Sequence, residues 1–229
     1  PASVIQSTAA GFNQQFIVGM ALFEDADTDR TMLLVREDSD INSMADLAGR
    51  RVGVTSVQSM QQTKVAASID AAGGDSTSVE FVQTPNASMG GLLETGQLDA
   101  IQPSEPAATL LMDAGNVRSL GPVNYVALEG VPSMALASTP EWIECHPETV
   151  AKLRSAIGRA ADFAMDPDNH DEFMEILAGR IAADTDVLSR ISLPIFSPEI
   201  TVESLNKLQD HLIEYGIQTD AIDVSTLLP

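Results

Sequence analysis

Between Ser39 and Ala114, short apolar runs alternate with helix-like stretches through brief polar loops, and this alternation limits the fold more than any other feature. A strand, a helix and a further strand linked by short loops build a crossover unit. Repeated, such units give a mostly parallel sheet covered on both faces, so the fold class is α/β. Ser43-Met44-Ala45-Asp46 has capping-box form for a short helix that stops at Gly49. Arg51-Val52-Gly53-Val54 reads as a strand entering the polar loop Thr55–Ser59. A helix follows with Val65, Ile69 and Ala72 on one face, ended by Gly73-Gly74. The next strand is Val79–Val82, after which Asn86 or Ser88 caps a short helix carrying Met89, Leu92 and Leu93 and closed by Gly96. Leu98–Gln102 is a further strand, and Pro103-Ser104-Glu105-Pro106 leads into a helix with Ala107, Leu110, Leu111 and Ala114 at core spacing.

The flanks read differently. Pro1 to Ala10 suits a short helix, because proline is tolerated in a first turn. Phe16–Phe23 and Thr31–Val35 are apolar runs of strand length, separated by the acidic turn that begins at Glu24. After about residue 126 come the strand-like Val131–Ala137 and the cap Thr139-Pro140. Beyond Pro147 the chain is helical, with Val150, Leu153, Ile157, Ala160, Ala161 and Ala164 in one stripe. Further helices are expected over Asp168–Leu177, Asp184–Arg190 and Val202–Tyr215, the last stopped by Gly216. An α/β middle with a helical tail predicts two lobes, with crossovers near residues 36–40 and 126–137. No internal repeat or low-complexity segment interrupts the pattern.

Composition excludes several functions. A formal net charge of −21, from 33 acidic and 12 basic residues, repels phosphate backbones and anionic lipid surfaces. No apolar run approaches the ~18 residues of a membrane span. Aromatic residues make up only 4%, so the core must be aliphatic. One cysteine, Cys145, rules out an internal disulfide framework and a thiolate zinc site. His146, His170 and His211 fall in no nucleophile–base constellation, and Gly-x-Ser-x-Gly, Walker and dinucleotide-binding loops are missing. Asp25-x-Asp27-x-Asp29 and Asp166-x-Asp168-x-His170 imitate calcium loops but lack the required Gly and Glu. No catalytic residue, metal or cofactor is expected.

In an open α/β sheet, ligands sit beyond the carboxyl ends of strands, near helix N-termini. Three loops fit. Ser56, Gln58 and Ser59 stand at the start of a helix, either as an ordinary polar cap or as donors for an anionic or strongly accepting group. Asn86 opens the next helix. Ser104 and Glu105 lie between two prolines, so Glu105 either faces a cationic group or serves as a favourable acidic helix start. With no basic residue in the three loops, a point-charge clamp for a sulfonate is disfavoured, although helix N-termini bind anions without one.

Several phrases match a known family in order and spacing. They are Leu33–Arg36 through Ser39-Asp40-Ile41, Ser43–Val54, Leu92–Ala100 and Glu105-Pro106, then Thr201–Leu208 and Asp223-Val224-Ser225. On these the chain resembles the substrate-binding proteins of ABC importers, in the NMT1/THI5-like group whose members bind sulfonates, nitrate, taurine and pyrimidine precursors. The resemblance implies a type II periplasmic-binding-protein fold with residues 1–37 and 129–229 as lobe 1 and 38–128 as lobe 2. It implies a non-enzymatic protein, periplasmic or anchored outside the cell, that closes over a small solute and delivers it to a permease. The family's ligand-facing loops map onto Ser56–Ser59, the Asn86 region and Ser104–Glu105. Alternatives are a thiamine-precursor-type enzyme on the same scaffold, which would need a His- and Cys-rich site, and a ligand-sensing effector domain. Family members carry a further stretch ahead of this chain's start. Lobe 1 is therefore expected to be incomplete, with Ile17, Val18, Met20, Leu22, Leu33 and Leu34 uncovered and the chain prone to self-association.

Overall fold

The alternation of apolar runs and helices resolves into two units in the computed structural model, which describes residues 1–23, 31–180, 188 and 193–229. One unit consists of Pro1–Glu24, Leu128–Ile176 and Pro194–Pro229, and the other of Asp25–Ala127 and Leu177–Leu193. In chain order the described elements begin with α1 (Ala2–Ala9), β1 (Gln15–Leu22), β2 (Met32–Arg36), β3 (Arg51–Val54), α2 (Met60–Ala71), β4 (Glu80–Gln83) and α3 (Asn86–Glu94). There follow β5 (Ala100–Ile101), α4 (Ala107–Asp113), β6 (Val117–Pro122), α5 (Tyr125–Leu128), β7 (Pro132–Ser138) and α6 (Pro140–Cys145). The last are α7 (Pro147–Met165), α8 (His170–Ala178), β8 (Ile195–Phe196) and α9 (Val202–Glu214).

The second unit holds a five-stranded sheet in the order β4-β3-β5-β2-β6. Its helix-linked strands pair in parallel, as the alternation requires: β3 with β4 on one side and with β5 on the other. β2 runs antiparallel between β5 and β6, which makes the whole sheet mixed rather than mostly parallel. This pairing also moves the first crossover. Residues 31–36 group with the five-stranded sheet, whereas the sequence placed them with residues 1–37. The cause is that Leu33, Leu34 and Val35 are all fully buried. Leu33 and Val35 pack with Ile41, Leu47, Val52, Val54, Val65 and Ile69 on one face. Leu34 packs with Met89, Leu93, Leu98 and Ile101 on the other. A strand apolar on both faces needs a central place in a doubly covered sheet.

Two strands escaped the sequence reading. β6 is half-buried along its whole length and ends in Gly121-Pro122, so neither alternation nor a continuous apolar run marks it. β8 has only two residues. Conversely, the strand expected over Leu98–Gln102 contracts to Ala100–Ile101, although the Asp99 and Gln102 N–H groups still donate to Arg51 O and Gly53 O, each at 2.9 Å.

In the first unit β1 is the middle strand of a three-stranded antiparallel sheet, β7-β1-β8. Ile17 and Val18 pack against Ile143 of α6 and Val150 of α7, with Leu153 and Ile157 continuing the predicted stripe. Arg154 Nε donates to Ile17 O at 2.8 Å and ties α7 to the sheet. α9 buries Leu205, Leu208 and Leu212, and Thr201 caps it by accepting from Ser204 N. The uncovered strands expected from the sequence are largely covered. Ile17 and Val18 are 7% exposed, Leu33 and Leu34 are at 0%, and Met20 and Leu22 are half-buried. The acidic turn after Glu24 and the helix expected over Asp184–Arg190 lie outside the described residues, apart from Leu188, which is helical and buried.

Candidate functional site

Parallel pairing of β3 with β4 and β5 places three loops at the carboxyl ends of these strands: Thr55–Ser59, Thr84–Asn86 and Gln102–Glu105. The first is shaped by glutamines. Gln61 Oε1 accepts from Thr55 N at 2.8 Å and also from the Thr55 hydroxyl, while its Nε2 donates to Gln102 O at 3.0 Å. One side chain thereby staples the end of β3 to the end of β5. Gln58 takes a left-handed conformation with φ +50°, and its N–H donates to Gln62 Oε1 at 2.7 Å. The Ser59 hydroxyl donates to Ser56 O at 2.7 Å, so it does not cap α2. The first-turn N–H groups of α2 are left without a side-chain cap, which keeps their partial positive charge available to a ligand.

A cavity of about 460 Å³ opens beside this turn, lined by Thr31, Thr55, Met60, Gln61, Lys64, Gln102, Pro103, Ser104, Glu105 and Ala108. Lys64 brings a cation to its wall. Lys64 Nζ donates to Asn124 Oδ1 at 2.5 Å, and Asn124 Nδ2 donates to the Thr31 hydroxyl at 2.6 Å. Asn124 is buried, so the chain Lys64–Asn124–Thr31 fixes where the ammonium points. This residue was missed by reading loops alone. Lys64 lies three and four residues beyond Gln61 and Met60, on the same face of α2, and that helical spacing is the signal that would have found it.

The sequence-predicted residues divide. Ser104 and Glu105 line the cavity. The Glu105 carboxylate is already engaged within α4, its two oxygens accepting from the N–H and hydroxyl of Thr109 at 3.2 and 3.1 Å. Asn86 Oδ1 accepts from Ser104 N at 3.1 Å and holds the second loop to the third. Asn86 itself lines a different, larger cavity of about 1020 Å³ between α3 and α4, with Arg36, Gly90, Leu111 and Val117 among its other walls. Ser56, Gln58 and Ser59 form the approach to α2, with Thr55, Met60 and Gln61 lining the 460 Å³ cavity in their place.

Cys145 is exposed at the end of α6 and lines neither cavity. His146 stacks on Trp142 at 4.6 Å, and its Nδ1 bonds to Trp142 O at 2.8 Å. The cavity wall thus offers a cation, the Thr109-bonded carboxylate of Glu105, hydroxyls and amides, a set suited to holding a polar molecule by hydrogen bonds and charge.

Comparison with known proteins gives a consistent picture. The family described as NMT1/THI5 like matches residues 20–170. No curated protein matches the chain by sequence. Among solved structures, the periplasmic aliphatic sulphonate binding protein SsuA from Escherichia coli is similar at 18% identity and a TM-score of 0.75, covering 97% of this chain and 71% of its own. The alkanesulfonate-binding protein SsuA from Xanthomonas axonopodis pv. citri, bound to MOPS, is similar at 16% identity and a TM-score of 0.76, covering 99% of this chain and 77% of its own. The desulfurization enzyme DSZB shares the fold at 18% identity and a TM-score of 0.66, covering 94% of this chain and 76% of its own.

Proposed function

Because the chain belongs to the NMT1/THI5-like family, we propose that it is an extracytoplasmic solute-binding protein that delivers a small anionic molecule of the sulfonate class to the permease of an ABC importer. The observation that carries the anionic reading is Lys64. It is one of three lysines in a chain of net charge −21, and it lines the cavity beside the uncapped first turn of α2. A cation and a helix N-terminus pointing at one cavity favour a negative group through charge-assisted hydrogen bonds. The two SsuA proteins of like fold, described as binding aliphatic sulphonates and alkanesulfonates, support the same ligand class.

A binding role agrees better with the cavity than catalysis does. An enzyme also shares the fold, but the chain's one thiol is outside the cavity wall. Isothermal titration with sulfonates, nitrate, amines, pyrimidines and amino acids tests the reading. A sulfonate is expected to bind, and Lys64→Met is expected to weaken it by about 10- to 100-fold, the worth of a hydrogen bond to a charged group. Equal affinity in a folded Lys64→Met variant, or preference for a cationic solute, would overturn it.

A further inference from the structure

We propose that the larger cavity, between α3 and α4, is a second binding site, and that it takes an apolar amine, an aryl or alkyl body ending in an ammonium group. The inference does not depend on the anionic reading above, because the two cavities share no lining residue. At about 1020 Å³ the space matches the clefts between helices that hold drug-sized molecules. It is reachable from solvent, since Ala87, Gly91, Leu110 and Ala114 on its walls are all exposed. Leu110 stands 53% exposed over the cleft, and the half-buried Leu111 and Val117 continue the apolar lining inward.

Gly91 points to an occupant. α3 has two adjacent glycines in its middle, each less favourable there than alanine. Gly90 has a packing reason, because a Cβ on it would stand 2.7 Å from Leu111 Cδ2 and press α4 away. Gly91 has none. No atom lies within 4 Å of its built Cβ, and the free space beside it is the cavity. Bare helix backbone facing an apolar cleft lets a flat apolar group lie directly against it. Charge then selects the end group. The rim carries Arg36, Glu37, Asp38 and Glu94, one cation against three anions. Arg36 Nε donates to Asp38 Oδ1 at 3.0 Å, so these two neutralise each other. Glu37 and Glu94 form no ion pair among the described residues, which leaves two uncompensated carboxylates. Both are exposed, so the apolar body supplies most of the affinity and the carboxylates supply the preference for a cation.

Phenylbutylamine, phenylbutanol and phenylbutyrate share one apolar body and end in a cation, a neutral group and an anion. Titrations at about 0.15 M salt screen the long-range attraction of a chain of net charge −21. The amine is expected to bind about two- to fivefold more tightly than the alcohol, the worth of an exposed ion pair, and the acid more weakly than either. Butylamine, which lacks the ring, is expected to bind at least about tenfold more weakly than phenylbutylamine. The amide NMR signals that the amine moves are expected to include those of Gly90, Gly91 and Leu111. Gly91→Leu fills the cleft with a better helix former, so it is expected to weaken amine binding at least about tenfold without lowering the melting temperature. Gly158→Ala, outside the cavity, is expected to leave amine binding unchanged. No binding by the amine, equal or tighter binding by the acid, or shifts confined to Gln61–Lys64 beside the smaller cavity would each overturn the proposal. The probe series and the shifts on the unaltered protein decide the matter even where Gly91→Leu folds poorly, and titration with a sulfonate reports on the smaller cavity separately.

Discussion

Asp46 accepts from the N–H groups of Asn42 and Ser43, each at 2.9 Å, and from the Ser43 hydroxyl at 3.0 Å. The backbone bonds from Asn42 and Ser43 lead in holding its carboxyl below the ordinary aspartate value. Because the folded pKa is depressed, the stability it contributes is complete above the unfolded value and fades as pH falls through the folded one. An NMR titration is therefore expected to show Asp46 titrating below an ordinary aspartate, and Asp46→Ala to flatten the acid limb of a stability–pH profile. An ordinary midpoint would show that these bonds do not favour the charged form. The capping-box spacing made Asp46 legible in the sequence, because such contacts are local. Lys64 was not legible as a residue of the cavity wall. Lys64 is recognised through its bond to Asn124, a fact of tertiary packing. Glu105 was legible as a rigidly placed acid, but only the fold shows its carboxylate turned to Thr109.

Elements with a strong period were readable to within a residue or two, as α7 and α9 show, because their apolar stripes are self-contained. β6 and β8 were not, because an edge strand and a two-residue strand are defined by their partners. β1 adds a constraint that no pattern announces. A Cβ built on Gly19 would stand 2.7 Å from Glu199 O and 3.0 Å from Pro198 C, both backbone atoms that cannot swing aside. Gly19 N–H also donates to Pro198 O at 3.0 Å. Gly19→Ala is expected to destabilise the protein by about 1–3 kcal/mol through overpacking. Gly158 inside α7 has no atom within 4 Å of a built Cβ. Gly158→Ala should instead stabilise it by about 0.5–1 kcal/mol, as alanine does in a helix interior. Urea denaturation of the two variants measures both signs, and a neutral Gly19→Ala would mean that the strand and the segment at 198–199 can separate at little cost.

Across the whole molecule, alternation in the middle of the chain gave the α/β class and its helical tail, but it left the first lobe boundary misplaced because β2 resembles β1 in sequence. What distinguishes them is the company they keep. All strands of the five-stranded sheet come from one stretch, Met32 to Pro122, whereas β1 waits for partners that begin at Pro132 and Ile195. Order of assembly follows from this wiring. Closing long loops is slow, so the sheet with nearer partners has the advantage during refolding. Pulse-labelled hydrogen exchange is expected to find the amides of Val52–Val54 protected before those of Val18–Ala21, and a reverse order would show that the distant pairing nucleates the fold. On a growing chain the same asymmetry becomes a matter of timing. The part bearing Lys64 can take shape while the partners of β1 are still to be made, so the cavity wall matures early and β1 is among the last strands to find its place.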